Sequence, residues 1–254
     1  MAVDEAILWA VSSGQAPPTL RLYAWNPPCL SLGYAQSISD VDLDRLEAIG
    51  WHVVRRPTGG RAILHTDELT YSVALPENHP LAAGNVVESY RRISTALMAA
   101  LQNLGLSPRS ERHDGQHGKN GPVCFETPSH YEITADGRKL IGSAQVRRKD
   151  GILQHGTLPL YGDVTRICDA LVFPDAASRE EAKEQVKGRA ITLQEALGRE
   201  VCWEQVAEAV VNGFADTFDI DFGPVPGQLF AEEREQADCF YAEMYATLAW
   251  TNKR

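Results

Sequence analysis

The sequence predicts an α+β fold, with strands gathered in the first two-thirds of the chain and helices in the last third. Three observations carry this expectation. Asp136-Gly137 sits between two runs of strand character, a strong two-residue hairpin signal. Val86, Tyr90, Ile93, Leu97, Leu101 and Leu104 share one helical face, and Gly105 follows as at a helix end. Beyond Tyr161 the apolar spacing turns helical, as in Trp203, Val206, Val210, Phe214 and Phe218. The 254 residues are read as one domain, 1–254, in preference to a separate helical lobe from residue 161.

Taken in order, Val3, Ile7, Leu8 and Val11 predict an N-terminal helix over the first dozen residues. Thr19 to Trp25 alternates as a strand until Pro27-Pro28 breaks it, and Cys29 to Tyr34 is a second strand. Asp40 to Ile49 is a short helix closed by Gly50. Trp51 to Arg56 and Ala62 to Leu75 are strands around Gly59-Gly60. Arg109 to Val123 is polar and aperiodic, hence a loop. Tyr131 to Ala135 and Arg138 to Gln145 flank the hairpin turn, and strand continues through Asp150-Gly151 to Leu160. A short strand over Phe218 to Phe222 precedes a last helix with Phe240, Met244 and Leu248 on one side.

Bulk properties narrow the function. A net charge of −10 argues against a nucleic-acid binder, which needs a basic surface. No run approaches eighteen apolar residues, and Asp4 and Glu5 stand where a signal peptide carries positive charge, so a cytoplasmic protein that does not insert in membranes is expected. The five cysteines (Cys29, Cys124, Cys168, Cys202, Cys239) form no CxxC pair and no zinc-site spacing, so each is by default a buried thiol. Packing in or beside helices accounts for Cys168 and Cys202.

Four segments carry chemistry. RRPTGGRAILH (Arg55 to His65) sets Arg55, Arg56 and Arg61 around Gly59 and Gly60, where backbone and guanidinium groups can meet an anion; a hairpin turn with solvated arginines is the plainer reading. RKLIGSAQ (Arg138 to Gln145) puts Lys139 just past a turn and then a run of small residues, Gly142-Ser143-Ala144, where a ligand can approach the backbone. In LQHGTL (Leu153 to Leu158) a His155-Gly156 pair interrupts a strand. In GPVCFETPSHYEI (Gly121 to Ile133) Cys124 stands at the end of a Gly-rich segment, outside any apolar period, with His113, His117 and His130 nearby. Loops held by a scaffold concentrate catalytic groups, which separates Cys124 from the other cysteines.

The order and wording of these four segments resemble the lipoate–protein ligase A/B family, nearest to its cysteine-dependent, LipM-type octanoyltransferase branch. The likeness runs from about Ala6 to the last helix. It implies an α+β fold shared with biotin–protein ligases, a mixed, largely antiparallel sheet flanked by helices around an acyl-binding tunnel. It implies Cys124 as the acyl-carrying residue and Lys139 as the substrate-contacting lysine. Arg55, Arg56, Gly59, Gly60, Arg61, His65, Gly142, Ser143, Gln145, His155 and Gly156 are then the substrate-binding set. Adenylating ligases carry a Gly-Arg-Asn-Asp-like segment where this chain reads Glu111 to Gln116, ERHDGQ, a departure that favours transfer over ligation.

The implied reaction moves octanoyl from octanoyl-acyl carrier protein to a lysine of a lipoyl domain or the glycine-cleavage H protein, without cofactor or metal. The alternative is an ATP- and magnesium-dependent lipoate–protein ligase. An ordinary thiol titrates near ~8.5, so a neighbouring ammonium such as Lys139 would raise its thiolate fraction. The acceptor lysine, with a pKa near ~10.4, must lose a proton to His65, His155 or the product thiolate. Full burial of about six methylenes at roughly 0.8 kcal/mol each would favour octanoyl over acetyl.

Overall fold

The computed structural model describes residues 1–111, 132–222 and 227–253. Helix α1 (Ala2–Ser12) is followed by β1 (Thr19–Tyr23), β2 (Cys29–Leu32), α2 (Leu43–Ala48), β3 (His52–Arg55), β4 (Ile63–His65) and β5 (Glu68–Pro76). The long helix α3 (Val86–Asn103) leads to β6 (Arg109–Glu111), then β7 (Glu132–Ala135), β8 (Arg138–Arg148) and β9 (Gly151–Pro159). Helices α4 (Ala176–Arg189), α5 (Leu193–Leu197), α6 (Trp203–Phe218), α7 (Ala231–Phe240) and α8 (Leu248–Thr251) follow. No described helix is long and apolar enough to cross a membrane.

Six strands form an antiparallel sheet in the order β1-β5-β9-β8-β7-β6. A second sheet, β3-β2-β4, pairs β2 parallel to β3 and antiparallel to β4. The β7–β8 hairpin turns on Asp136 (φ 51) and Gly137 (φ 70), two left-handed residues in succession, as a tight twisted hairpin demands. Helix α3 starts at a reciprocal cap: Asn85 Oδ1 accepts from the Glu88 N–H at 3.1 Å, and Glu88 Oε2 accepts from the Asn85 N–H at 2.8 Å.

Strand alternation divides the large sheet into two faces that do different work. Leu69, Tyr71, Val73 and Leu75 of β5, with Ile152 and Leu158 of β9, pack against Ile93, Leu97 and Leu101 of α3 and Val206, Val210 and Phe214 of α6. On the reverse face Ala74, Leu153 and Val146 lie under Ile7, Leu8 and Val11 of α1. Helix α1 covers that end alone; farther along, Thr70, Gly142, Ala144, His155 and Thr157 wall a cavity. The small sheet has its own core, in which Leu30, Leu32 and Ala62 meet Leu46, Ile167, Leu171 and Val186.

Three local expectations are corrected. Part of the stretch expected as loop, Arg109–Glu111, is an edge strand pairing with β7. No strand covers Phe218 to Phe222; Phe218 is the last residue of α6, its ring 5.9 Å from that of Phe214, and Asp219 (φ 53) ends the helix in the left-handed region. The stripe Phe240, Met244, Leu248 is not the packed one. A π-helical turn at Tyr241–Tyr245 adds a residue and rotates the register, so Tyr245 is buried while Leu248 is 77% exposed.

Candidate active site

The cavity, about 410 Å³, lies between the two sheets. The large sheet contributes Thr70 from β5, Gly142, Ser143 and Ala144 from β8, and His155, Gly156 and Thr157 from β9. The small sheet contributes Ser31, Ile63 and His65, and the connection between β3 and β4 adds Arg56, Gly59, Gly60 and Arg61. Lys139 closes one side.

Lys139 is buried, and its Nζ lies 2.6 Å from Glu132 Oε1, also buried, so the ammonium is held in a low-dielectric ion pair. Gly142 makes room for it: a β-carbon there would sit 3.2 Å from Lys139 Cε. Cys124 lies outside the described residues, as do His113, His117 and His130.

The three arginines separate by role. Arg55, 0% exposed, donates to Gly33, Tyr34 and Gln36 carbonyls on one side and to Trp250 and Thr251 carbonyls on the other. It ties α8 to the turn after β2 and does not line the cavity. Arg56 braces the cavity's loop from within, donating to the carbonyls of Ser31 (3.0 Å), Gly59 (2.8 Å) and Arg61 (2.7 Å). Both are structural guanidiniums where the sequence pattern pointed to anion donors. Arg61 is a lining residue of the cavity, and its carbonyl is one of those that Arg56 holds. The loop depends on glycine twice. Gly60 has φ +94, and a β-carbon on Gly33 would fall 1.8 Å from the Gly60 carbonyl oxygen.

Alternation also sorts the β8 residues. Ser143 and Gln145 turn their side chains to the α3 side: Ser143 Oγ accepts from Tyr71 at 2.6 Å, and the Gln145 amide bonds Ser89 and Gln154, each at 3.0 Å. Ser143 therefore offers main chain to the cavity, and Gln145 does not line it. Gly156 keeps β8, β9 and β5 tightly packed on that α3 side, since a β-carbon there would lie 2.5 Å from the Gly142 carbonyl oxygen and 2.6 Å from Tyr71 Cε1.

The histidines lie in different environments. His155 Nε2 is 2.6 Å from Thr58 Oγ1, while its buried Nδ1 has no partner among the described residues. Burial, with the Arg56 charge adding and the Asp4 carboxylate opposing, pushes its pKa down to about 3, so the ring is neutral at pH 7. His65 stacks on Trp25 at 4.4 Å, with Nε2 2.8 Å from Ser31 Oγ and Nδ1 2.7 Å from Glu68 Oε1. Arg56 can only donate, and does so to Ser31 Oγ at 3.2 Å, so that hydroxyl is shared between the guanidinium and the His65 ring. Glu68 also accepts short hydrogen bonds from Thr70 and Thr157. Ser31, Glu68, Thr70 and Thr157 escaped the sequence reading. The available signal was a glutamate inside an otherwise alternating apolar strand, three residues after a histidine.

The cysteine expectation holds for Cys29 and Cys168, which are buried, and fails for Cys202 and Cys239, which are exposed; Cys202 stands just before α6 with its side chain outward. Among the described residues, no three or more His, Cys, Asp or Glu side chains are placed to hold a metal ion.

Comparison with known proteins gives this geometry a context. The model of the lipoyl protein ligase A/B catalytic domain matches residues 1–215. The octanoyltransferase LipM of Kyrpidia tusciae is 44% identical, with 97% of this chain and 91% of that protein aligned. LipM of Symbiobacterium thermophilum is 41% identical over 100% of this chain and 93% of its own. Among solved structures, a bi-partite lipoate protein ligase studied with its E2 lipoyl domain, from Thermoplasma acidophilum, superposes with a TM-score of 0.81 at 25% identity, covering 98% of this chain and 89% of the other. A lipoate-protein ligase A bound with ATP gives 0.78 at 26% identity, covering 98% and 91%. The two-sheet scaffold, the glycine loop and the buried lysine thus sit in a chain that belongs to the lipoyl protein ligase A/B catalytic-domain family, on its LipM octanoyltransferase branch.

Proposed function

We propose that the chain moves an octanoyl group from octanoyl-acyl carrier protein, through a thioester on Cys124, to a lysine of a lipoyl domain or glycine-cleavage H protein in the cytoplasm. The observation that carries this is the buried Lys139–Glu132 pair set over Gly142 in a ligand-sized cavity. Full-length relatives bearing the octanoyltransferase name support it. The archaeal neighbour, described with an E2 lipoyl domain, supports a lipoyl domain as acceptor.

In the first step the Cys124 thiolate attacks the thioester carbonyl carbon. A new C–S bond forms, the carrier's C–S bond breaks, and the departing carrier thiolate takes up the proton that Cys124 released. The Lys139 ammonium offsets negative charge on the carbonyl oxygen as it develops. In the second step the neutral amine of the acceptor lysine attacks, a C–N bond forms, and the bond to Cys124 breaks. The leaving thiolate takes the amine's proton. His155, held neutral down to about pH 3, is too weak a base for that task. Both ring nitrogens of His65 are engaged. Arg61 at the cavity is the arginine suited to the donor's phosphate. No cofactor is required.

Intact-mass measurement after mixing with octanoyl-acyl carrier protein should show one octanoyl adduct, discharged by an apo lipoyl domain. Normal transfer by Cys124→Ala overturns the mechanism. One observation favours a second reading: the neighbour bound with ATP, at 26% identity. Lipoate-dependent pyrophosphate release that survives Cys124→Ala selects that ligase instead.

A further inference from the structure

The described residues that line the cavity include no aspartate or glutamate. Its charged or titratable members besides Lys139 are Arg56, Arg61, His65 and His155, and the charge of the Met1 amine bears on His155. Acids behind the wall are engaged with other groups: Asp4 with Arg21, Tyr23 and Ser72, and Glu68 with His65, Thr70 and Thr157. Arg138, next to Lys139 on the outer side, is paired with Glu195 at 2.7 Å. From β7, Glu132 brings its carboxylate to 2.6 Å from the Lys139 ammonium, and both residues are buried.

Lys139 reaches the cavity through an irregularity in its strand. Thr134 pairs with Lys139 but Ile133 pairs with Ile141, so Leu140 is an extra residue on β8. Leu140 and Ile141 both join the large core, where a regular strand would turn successive side chains to opposite faces. The bulge thereby sets Lys139 on the same side as Gly142, three residues on, and both line the cavity. Glu132 is one residue before Ile133 and Gly142 one after Ile141, so the carboxylate is carried on the strand step level with that glycine.

The proposed transfer sets two amines beside one acyl carbonyl, and they need opposite protonation states. The acceptor lysine must be neutral to attack, and Lys139 must not attack at all. A neutral Lys139 would form its own C–N bond to the acyl carbon, the C–S bond would break, and the departing thiolate would take the amine's proton. That amide ends turnover. Burial favours the neutral form of a lysine, cations in the same lining such as Arg56 and Arg61 add to this, and an adjacent carboxylate reverses it. We propose that Glu132 is the positioning residue that keeps Lys139 an ammonium, so that the acyl group passes to the partner's lysine and not to the enzyme's own. This rests on the reading that the acyl carbonyl sits beside Lys139. The same lining, cationic and without a carboxylate among its described residues, favours the neutral form of the incoming lysine.

The test is Glu132→Gln, incubated with octanoyl-acyl carrier protein and no acceptor, then treated with neutral hydroxylamine, which cleaves thioesters and spares amides. Peptide mass mapping locates the octanoyl that remains. The wild-type chain should keep scarcely any. Glu132→Gln should accumulate octanoyl on Lys139 roughly a hundredfold faster, since losing a buried counter-charge raises a lysine's neutral fraction by about that much. Glu132→Asp, which keeps the charge, should stay close to the wild type; a purely structural role for Glu132 would put no octanoyl on Lys139 in any variant. A glutamine variant without the resistant adduct, or an aspartate variant that gains it as fast, overturns the proposal. If Glu132→Gln does not fold, carbon-13 NMR of the lysine Cε atoms in the wild-type chain decides. Lys139 should remain an ammonium to about pH 9, and a neutral form below that refutes the guard. Octanoyl that hydroxylamine removes, and that an apo lipoyl domain discharges, reports the Cys124 thioester separately. Removable octanoyl in both chains with none on Lys139 keeps the transferase and strikes out the guard. Octanoyl fixed on Lys139 of the variant, with no removable adduct in either chain, does the reverse.

Discussion

Replacing Gly156 with alanine drives one methyl group into the packed α3 side of the large sheet, behind the cavity wall. That β-carbon would lie 2.5 Å from the Gly142 carbonyl oxygen and 2.6 Å from both Ser143 Oγ and Tyr71 Cε1. Each is roughly an ångström inside ordinary contact. None of the three can yield independently. Gly142 belongs to the β8–β9 ladder, Tyr71 is 1% exposed, and Ser143 Oγ is bonded to that same tyrosine. Overpacking without a flexible neighbour falls at the upper end of the usual penalty, about 3 kcal/mol. For a chain of this size that lowers the melting temperature by about 6–12 °C. Gly188→Ala is the matched control: it lies within α4, with nothing within 4 Å of its added β-carbon, and should gain about 0.5–1 kcal/mol. Thermal unfolding followed by circular dichroism measures both. Should Gly156→Ala melt within about 2 °C of the wild type, the strands do not pack there as described.

Three further outcomes follow from the same contacts. His155 is neutral when folded, with a pKa near 3, against an ordinary 6.5 when unfolded. Its contribution is therefore complete above about pH 6.5 and lost progressively as pH falls toward 3, at most on the order of 5 kcal/mol. Urea titrations at pH 7.5 and 5 should show His155→Gln losing less stability on acidification than the wild type; equal losses refute the assignment. Arg55→Met strips donors from five carbonyls and should cost about 3 kcal/mol or more, with faster hydrogen exchange across Thr247–Lys253; unchanged exchange there sinks the tie. Gly33→Ala should displace the Gly59-Gly60 loop and weaken octanoate binding by roughly tenfold or more, read by calorimetry, because a 1.8 Å approach to a main-chain oxygen has no small remedy. Unaltered affinity would show that the loop does not shape the cavity.

What the sequence revealed was governed by range. The Asp136-Gly137 hairpin and the cap and stripe of α3 are local, so short windows contain their whole cause. The edge strand Arg109–Glu111 has no apolar alternation to announce it, because its pairing with β7 depends on main-chain bonds. The π-helical turn before α8 leaves no mark in composition, yet it moves the buried side from Met244 to Tyr245. In the site, the family resemblance implies Gly59, Gly60, Lys139, Gly142, His65 and His155, and the fold brings them to one cavity. The same resemblance implies Arg55 and Gln145, whose side chains point elsewhere, since a matching segment does not by itself say which face of a strand a side chain takes. Glu68 was passed over because His65 and Thr70 beside it say little alone, and Thr157 of β9 joins the same carboxylate only on folding.

The two sheets enclosing the cavity share no hydrogen-bonded ladder among the described residues. They are stitched along a seam of side chains, Thr58 to His155 on one line and His65 to Glu68 on another. Main-chain ladders fix a spacing of about 4.8 Å and cannot be resized by substitution, whereas a seam of side chains can. The width of this cavity is therefore the dimension most open to redesign for bulkier or branched acyl groups, with both sheets left intact.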